Sequence, residues 1–121
     1  ALERLAVAEA IEHLQDSDIQ ALYQLVERYQ QAEDAQVLYE ESQRFDEYIY
    51  TLSHNQTLHN LLDVIKGIIS RDKKFSAASA ERRAAITAEH LEIIRAMEAR
   101  DKQKAQEAVS EHIRNGRKFI F

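Results

Sequence analysis

The 121-residue sequence contains no cysteine, no proline and no tryptophan, and only two glycines. Without cysteine there are no disulfides, thiolate zinc sites, iron–sulfur ligands or cysteine nucleophiles, and the composition fits a reducing compartment. The missing prolines and scarce glycines argue against sandwiches, barrels and glycine-rich phosphate loops, all of which need special turns. No apolar run approaches the roughly 20 residues of a membrane-spanning helix. The opening Ala1-Leu2-Glu3-Arg4 is already in helical rhythm, with no initiator methionine and no signal-peptide pattern. We therefore expect a domain whose N-terminal neighbour lies outside this sequence.

What remains is 45% hydrophobic and 31% charged, rich in Ala, Leu, Ile, Glu and Gln, a composition that predicts one all-α domain. The net charge of −5 argues against this piece gripping nucleic acid by itself. Residues 1–55 carry 12 acidic and 3 basic side chains against 9 and 13 in residues 56–121. The bases of the second half are scattered over helix surfaces and read as solvated.

Apolar residues recur at three-and-four spacing throughout and predict an antiparallel bundle of about six helices. The first spans 2–15 (Val7, Ala10, Ile11, Leu14 inward), and the second 18–32 (Ile19, Leu22, Val26, Tyr29), opened by a capping box from Ser17 to Gln20. The third spans 35–53 (Leu38, Phe45, Ile49, Leu52), capped by Asp34 and stopped at His54-Asn55, where Asn tolerates the left-handed conformation. The fourth, 57–71, is strongly apolar, with Leu58, Leu61, Leu62, Ile65, Ile68 and Ile69. A polar loop, Arg71 to Ser79, leads to the fifth (80–99) and sixth (102–118) helices, whose short junction near Arg100-Asp101 makes them antiparallel neighbours.

Of five histidines, His13, His54 and His59 lie at or near helix ends and read as surface or capping residues. His90 falls on the apolar line Ile86, Ile93/Ile94, Met97, and His112 on the line Ala105, Val109. His90 lies ten residues before Arg100 and His112 eleven after Asp101. At ~1.5 Å per residue both stand roughly 15–17 Å from the shared turn, so the two rings reach one level inside the bundle. A pair of imidazoles at matched depth suits a shared metal ion. On the third helix Ser42, Asp46 and Tyr50 follow at four-residue intervals, and Asp46 is also near mid-bundle. If that helix faces the last two, Asp46 completes a mixed nitrogen and oxygen set. The alternative is a boundary carboxylate in water, and pattern alone leaves the two even.

Three traces, Leu2-Glu3, then Phe45 with Ser53-His54-Asn55 and Leu58, then Glu89-His90, Ile93/Ile94, Ala96, Asp101, Ala105 and His112, span nearly the whole chain. This pattern resembles the FCD domain, the ligand-binding C-terminal half of many GntR-type bacterial transcription regulators. The resemblance implies a cytoplasmic effector-sensing and dimerisation module, with DNA read by a winged helix in the N-terminal part and no membrane contact. Many members of that family hold a divalent metal through an Asp and a His four residues apart on the third helix, plus two later histidines. The later two match His90 and His112, whereas the earlier pair falls on Ser42 and Asp46, a departure at both positions. The implied metal set is therefore Asp46, His90 and His112, suited to zinc, nickel or manganese, with positions open for water or a small carboxylate or sugar acid. A metal-free pocket stays open as the alternative, since some members lack metal. Ser42, Tyr50 and Arg83 are further candidate effector contacts, Arg83 also reading as an exposed helix cation.

Enzyme readings find no support. No Glu-x-x-His occurs at any histidine, no His-Glu-x-x-His is present, and nothing resembles a nucleophile elbow. A structural or dimerisation bundle without small-molecule sensing is the competing reading. The apolar fourth helix serves either as a homodimer face or as a central helix.

Overall fold

A computed structural model describes residues 2–61, 63–64 and 80–118. Among these residues there is no strand, and six helices follow in order: α1 (Leu2–His13), α2 (Asp16–Gln30), α3 (Ala35–Leu52), α4 (from residue 56), α5 (Ala80–Glu98) and α6 (Lys102–Lys118). The all-α bundle expected from the periodicity is what the chain forms. The expected loop at 71–79 lies outside the described residues, as do Leu62, Ile65, Ile68 and Ile69 of the fourth helix.

Helix ends shift from the sequence reading by up to two residues, α1 stopping at His13 and α2 at Gln30, and two further departures have a clear local reason. α2 starts two residues early, because Asp18 rather than Gln20 closes the cap: its Oδ2 accepts from the Gln15 backbone N–H at 2.9 Å. Asp18 then uses Oδ1 to accept from the Tyr48 hydroxyl at 2.9 Å, tying α2 to α3. After α3, the left-handed residue is His54 (φ 57°), not Asn55. Asn55 instead caps α4, its Oδ1 accepting from the Leu58 N–H at 3.0 Å. Asp34 does cap α3, through the Gln36 N–H at 2.8 Å.

The helices close a ring. α1 packs on α6, α6 on α5, α5 on α2, α2 on α3 and α3 on α1. Its interior is filled by the lines the periodicity singled out: Val7, Ala10 and Ile11; Ile19, Leu22, Val26 and Tyr29; Leu38, Phe45 and Ile49; Ile86, Ile93, Ile94 and Met97; Ala105 and Val109. Each large apolar side chain so buried contributes roughly 1.5–3 kcal/mol. α4 packs from outside, with Leu58 against Ala6, Leu2 and Tyr50, while Leu61 and Val64 are 48% and 64% exposed.

The α5–α6 junction sets the register of the two histidine-bearing helices. Arg100 adopts the left-handed conformation (φ 55°) and Asp101 N–H donates back to Ala96 O at 3.0 Å, a Schellman-type end. Asp101 then caps α6 through the Lys104 N–H at 3.1 Å. Asp101→Ala is expected to cost about 1 kcal/mol in urea unfolding while the protein keeps its helicity. A loss below a few tenths would show that the cap contributes nothing.

Candidate metal centre

His90 is forced inward because its neighbours on the same stripe of α5, Ile86, Ile93, Ile94 and Met97, are all buried. Its imidazole is 1% exposed and lies flat against Phe45 of α3, with centroids 3.9 Å apart and an interplanar angle of 9°. Asp46 follows Phe45 by one residue, so it is turned about 100° round the helix and its carboxylate sits at the rim, 23% exposed. His112 lies one turn beyond Val109 on α6, with a side chain 15% exposed.

These three residues meet. His90 Nε2 stands 3.2 Å from His112 Nε2 and 3.6 Å from Asp46 Oδ1. One donor atom from each of the three lies within 4.8 Å of the others. Two donors bound at zinc distances in a tetrahedral site stand roughly 3.3 Å apart, so the arrangement fits a divalent ion with little movement. The set is two nitrogens and one carboxylate oxygen, each from a different chain position, on α3, α5 and α6.

The far side of each ring is also held. His90 Nδ1 lies 3.0 Å from the Tyr29 hydroxyl of α2. His112 Nδ1 lies 2.6 Å from Glu89 Oε1. Glu89 also accepts from Arg82 Nη1 at both oxygens (3.0 and 2.8 Å) and from Asn115 Nδ2 at 3.0 Å. Such partners on the second imidazole nitrogen fix ring orientation in metal sites. Burial pushes the Glu89 carboxyl up, but hydrogen bonds from His112, Arg82 and Asn115 together hold it below the ordinary carboxylate value, so it is an anion. Burial drives His90 down to about 4, against the opposing pull of the Asp46 carboxylate. The imidazole is thus neutral at neutral pH, the form that offers a lone pair.

The other sequence candidates are placed as follows. Ser42 is buried one turn before Asp46 and its hydroxyl donates to Tyr39 O at 2.9 Å. Tyr50, one turn after Asp46, packs against Leu58 and Ala6, its phenol held well above the ordinary value by burial and by the Asp46 and Glu3 charges. Arg83 faces the α2–α3 connection, where its guanidinium donates to Ala32 O. His13 and His54 stack on one another at 4.3 Å, and both are exposed. His59 Nε2 lies 2.9 Å from Ser53 Oγ, whose hydrogen goes to Tyr50 O at 2.7 Å, so this pair closes a turn and leaves no activated hydroxyl.

Arg82 and Asn115 were not singled out by sequence, Tyr29 only as a core residue and Glu89 only as part of a family trace. Helical spacing carries some of the signal: Arg82 and Glu89 are seven residues apart on one face, and Asn115 is one turn beyond His112. Tyr29 reads as one more core residue until the position of α2 against α5 is known.

A closed helical ring that aims two imidazoles and a carboxylate at one interior point defines a class: all-α bundles with an inward nitrogen and oxygen donor set. The family model for the FCD domain matches residues 1–115, and the chain belongs to that family. FCD domains are ligand-sensing regulatory domains. No curated protein matches the chain.

Proposed function

We propose that the chain is the effector-sensing module of a GntR-type transcription regulator, and that Asp46, His90 and His112 hold a divalent metal, zinc, nickel or manganese. The observation that carries the reading is the convergence of both Nε2 atoms and one carboxylate oxygen on a single point, with both Nδ1 atoms tied from behind. A divalent ion at three protein donors supplies positive charge and open positions for a small carboxylate or sugar acid. Asp46, the most exposed of the three donors, marks the side from which such an acid enters. Ser42 and Tyr50 flank Asp46 by one turn on either side and belong to the same effector surface. Arg83 joins them on leaving the Ala32 carbonyl.

Control of DNA binding would follow if the effector favours one arrangement of the helices over another, since only differential affinity moves such an equilibrium. DNA contact in this reading belongs to an attached N-terminal domain, and the role is regulatory rather than catalytic. Exposed Leu61 and Val64 on α4 favour a homodimer face there. The metal-free alternative draws on the same cluster, since the His90–His112 and His90–Asp46 contacts are compatible with one shared proton.

The test is elemental analysis of protein purified without chelator, joined to thermal unfolding with and without added zinc, for wild type and His90→Ala. Wild type is expected to carry metal near one equivalent and to gain about 2.7 kcal/mol at zinc a hundredfold above its Kd, with His90→Ala gaining nothing. Equal and negligible metal in both proteins sinks the metal reading and leaves the family assignment standing.

A further inference from the structure

Glu89 is held from two helices. From α6, His112 Nδ1 lies 2.6 Å from its Oε1 and Asn115 Nδ2 donates to its Oε2 at 3.0 Å. From Glu89's own helix, Arg82 Nη1 donates to both oxygens, at 3.0 and 2.8 Å. A carboxylate offers about four lone-pair sites, and these contacts fill them. The pair from Arg82 differs in kind from the other two. Arg82 stands seven residues before Glu89 on the same face of α5, so this brace is complete within one helix. It sets the direction of the Glu89 side chain independently of where α6 lies. His112 and Asn115, one turn apart on α6, then dock on an acceptor that is already aimed.

Arg82 is 2% exposed. Burying such a pair is a poor way to stabilise a helix, because desolvation offsets much of the attraction. It is an effective way to fix a direction. Nη1 meets both oxygens, so the carboxylate cannot turn without losing one of them. Glu89 is in turn the group behind the His112 ring, whose Nε2 faces the centre 3.2 Å from His90 Nε2. We propose that Arg82 is a positioning residue of the metal centre, acting through Glu89 on the His112 ring rather than by contact with the ion.

This inference rests on the metal reading above, and the experiment separates the two. Zinc alone is the probe, read in competition with a coloured chelator at a temperature where each variant is folded by circular dichroism. Arg82→Met should weaken zinc binding about 10-fold. Charge alone predicts the opposite sign, since removing a cation beside a divalent site favours the ion. In a Glu89→Ala background, itself weakened, Arg82→Met should weaken zinc no further, because the group it acts through is gone. Ile11→Ala removes buried volume from α1, which supplies none of these contacts, and should bind zinc as wild type does. A wild type that takes up no zinc overturns the metal reading and this inference with it. Zinc uptake by wild type with equal or tighter binding in Arg82→Met overturns the positioning role alone. So does a further loss in the Glu89→Ala background, or an equal loss in Ile11→Ala, which would make the effect one of stability. Should Arg82→Met fail to fold, Arg82→Lys decides by the same readings. Its stem is one bond shorter and cannot bracket both oxygens, so zinc binding should weaken several-fold.

Discussion

Glu89→Ala is expected to lose about 3 kcal/mol of folding stability and to weaken zinc binding at the same time. The guanidinium of Arg82 is almost fully buried, and its two hydrogen bonds to Glu89, at 3.0 and 2.8 Å, are charge-assisted. Removing one partner of a buried ion pair costs about 3–5 kcal/mol, because the other charge stays out of water. Glu89 retains some exposure, 12% of its side chain, which places the expectation at the low end. The same truncation takes the acceptor from His112 Nδ1 and Asn115 Nδ2, so the ring that presents Nε2 loses its anchor. Glu89→Gln separates the two effects. Its amide oxygen still accepts from Nδ1–H, so zinc affinity should fall less than in Glu89→Ala, while the charge match with Arg82 is lost in both. Urea unfolding of the chelated proteins and zinc competition read the two quantities independently. A stability loss below 1 kcal/mol in Glu89→Ala would show that the Arg82–Glu89 pair does not hold the end of α5.

The second large effect is with pH. His90 titrates near 4 in the folded protein against about 6.5 in an unfolded chain. Below pH 6.5 the unfolded state takes up a proton at this imidazole that the folded state refuses, so stability falls as pH falls. The contribution is complete above pH 6.5, declines by about 2 kcal/mol at pH 5 and by about 3 kcal/mol near pH 4, and then levels off. The Glu89 anion adds stability that is lost only further down, as pH drops through its lowered folded value, so the interval from pH 7 to 5 isolates the histidine. Unfolding of chelated protein across that interval should show the slope, and His90→Gln should flatten it. An unchanged slope in His90→Gln would assign the pH dependence elsewhere.

The sequence made the bundle legible because five of its helices bury one periodic stripe each. The stripe on α5 was enough to aim His90, and equal distances from the turn at Arg100-Asp101 were enough to bring His112 beside it. Asp46 was half legible: its depth followed from spacing, but whether it faced inward depended on α3 meeting α5 across the ring, which no local pattern encodes. The stacking of Phe45 on His90 settles that orientation, since Asp46 follows Phe45 along the helix. Tyr29 was harder still, because an aromatic residue on a buried stripe looks the same whether it packs or hydrogen-bonds. Cap positions shifted where two polar residues competed for one role, as with Asp18 and Gln20, or His54 and Asn55.

The order of helices around the ring carries a mechanical consequence. α1 contributes no donor, yet it is wedged between α3 and α6, which bear Asp46 and His112. Arg4 reaches across to the Ser110 hydroxyl at 2.8 Å, and Gln106 returns to Arg4 O at 3.1 Å, so the first turns of α1 are laced to the helix carrying His112. The span between the Asp46 carboxylate and the His112 ring is therefore braced from behind by a helix that supplies neither group.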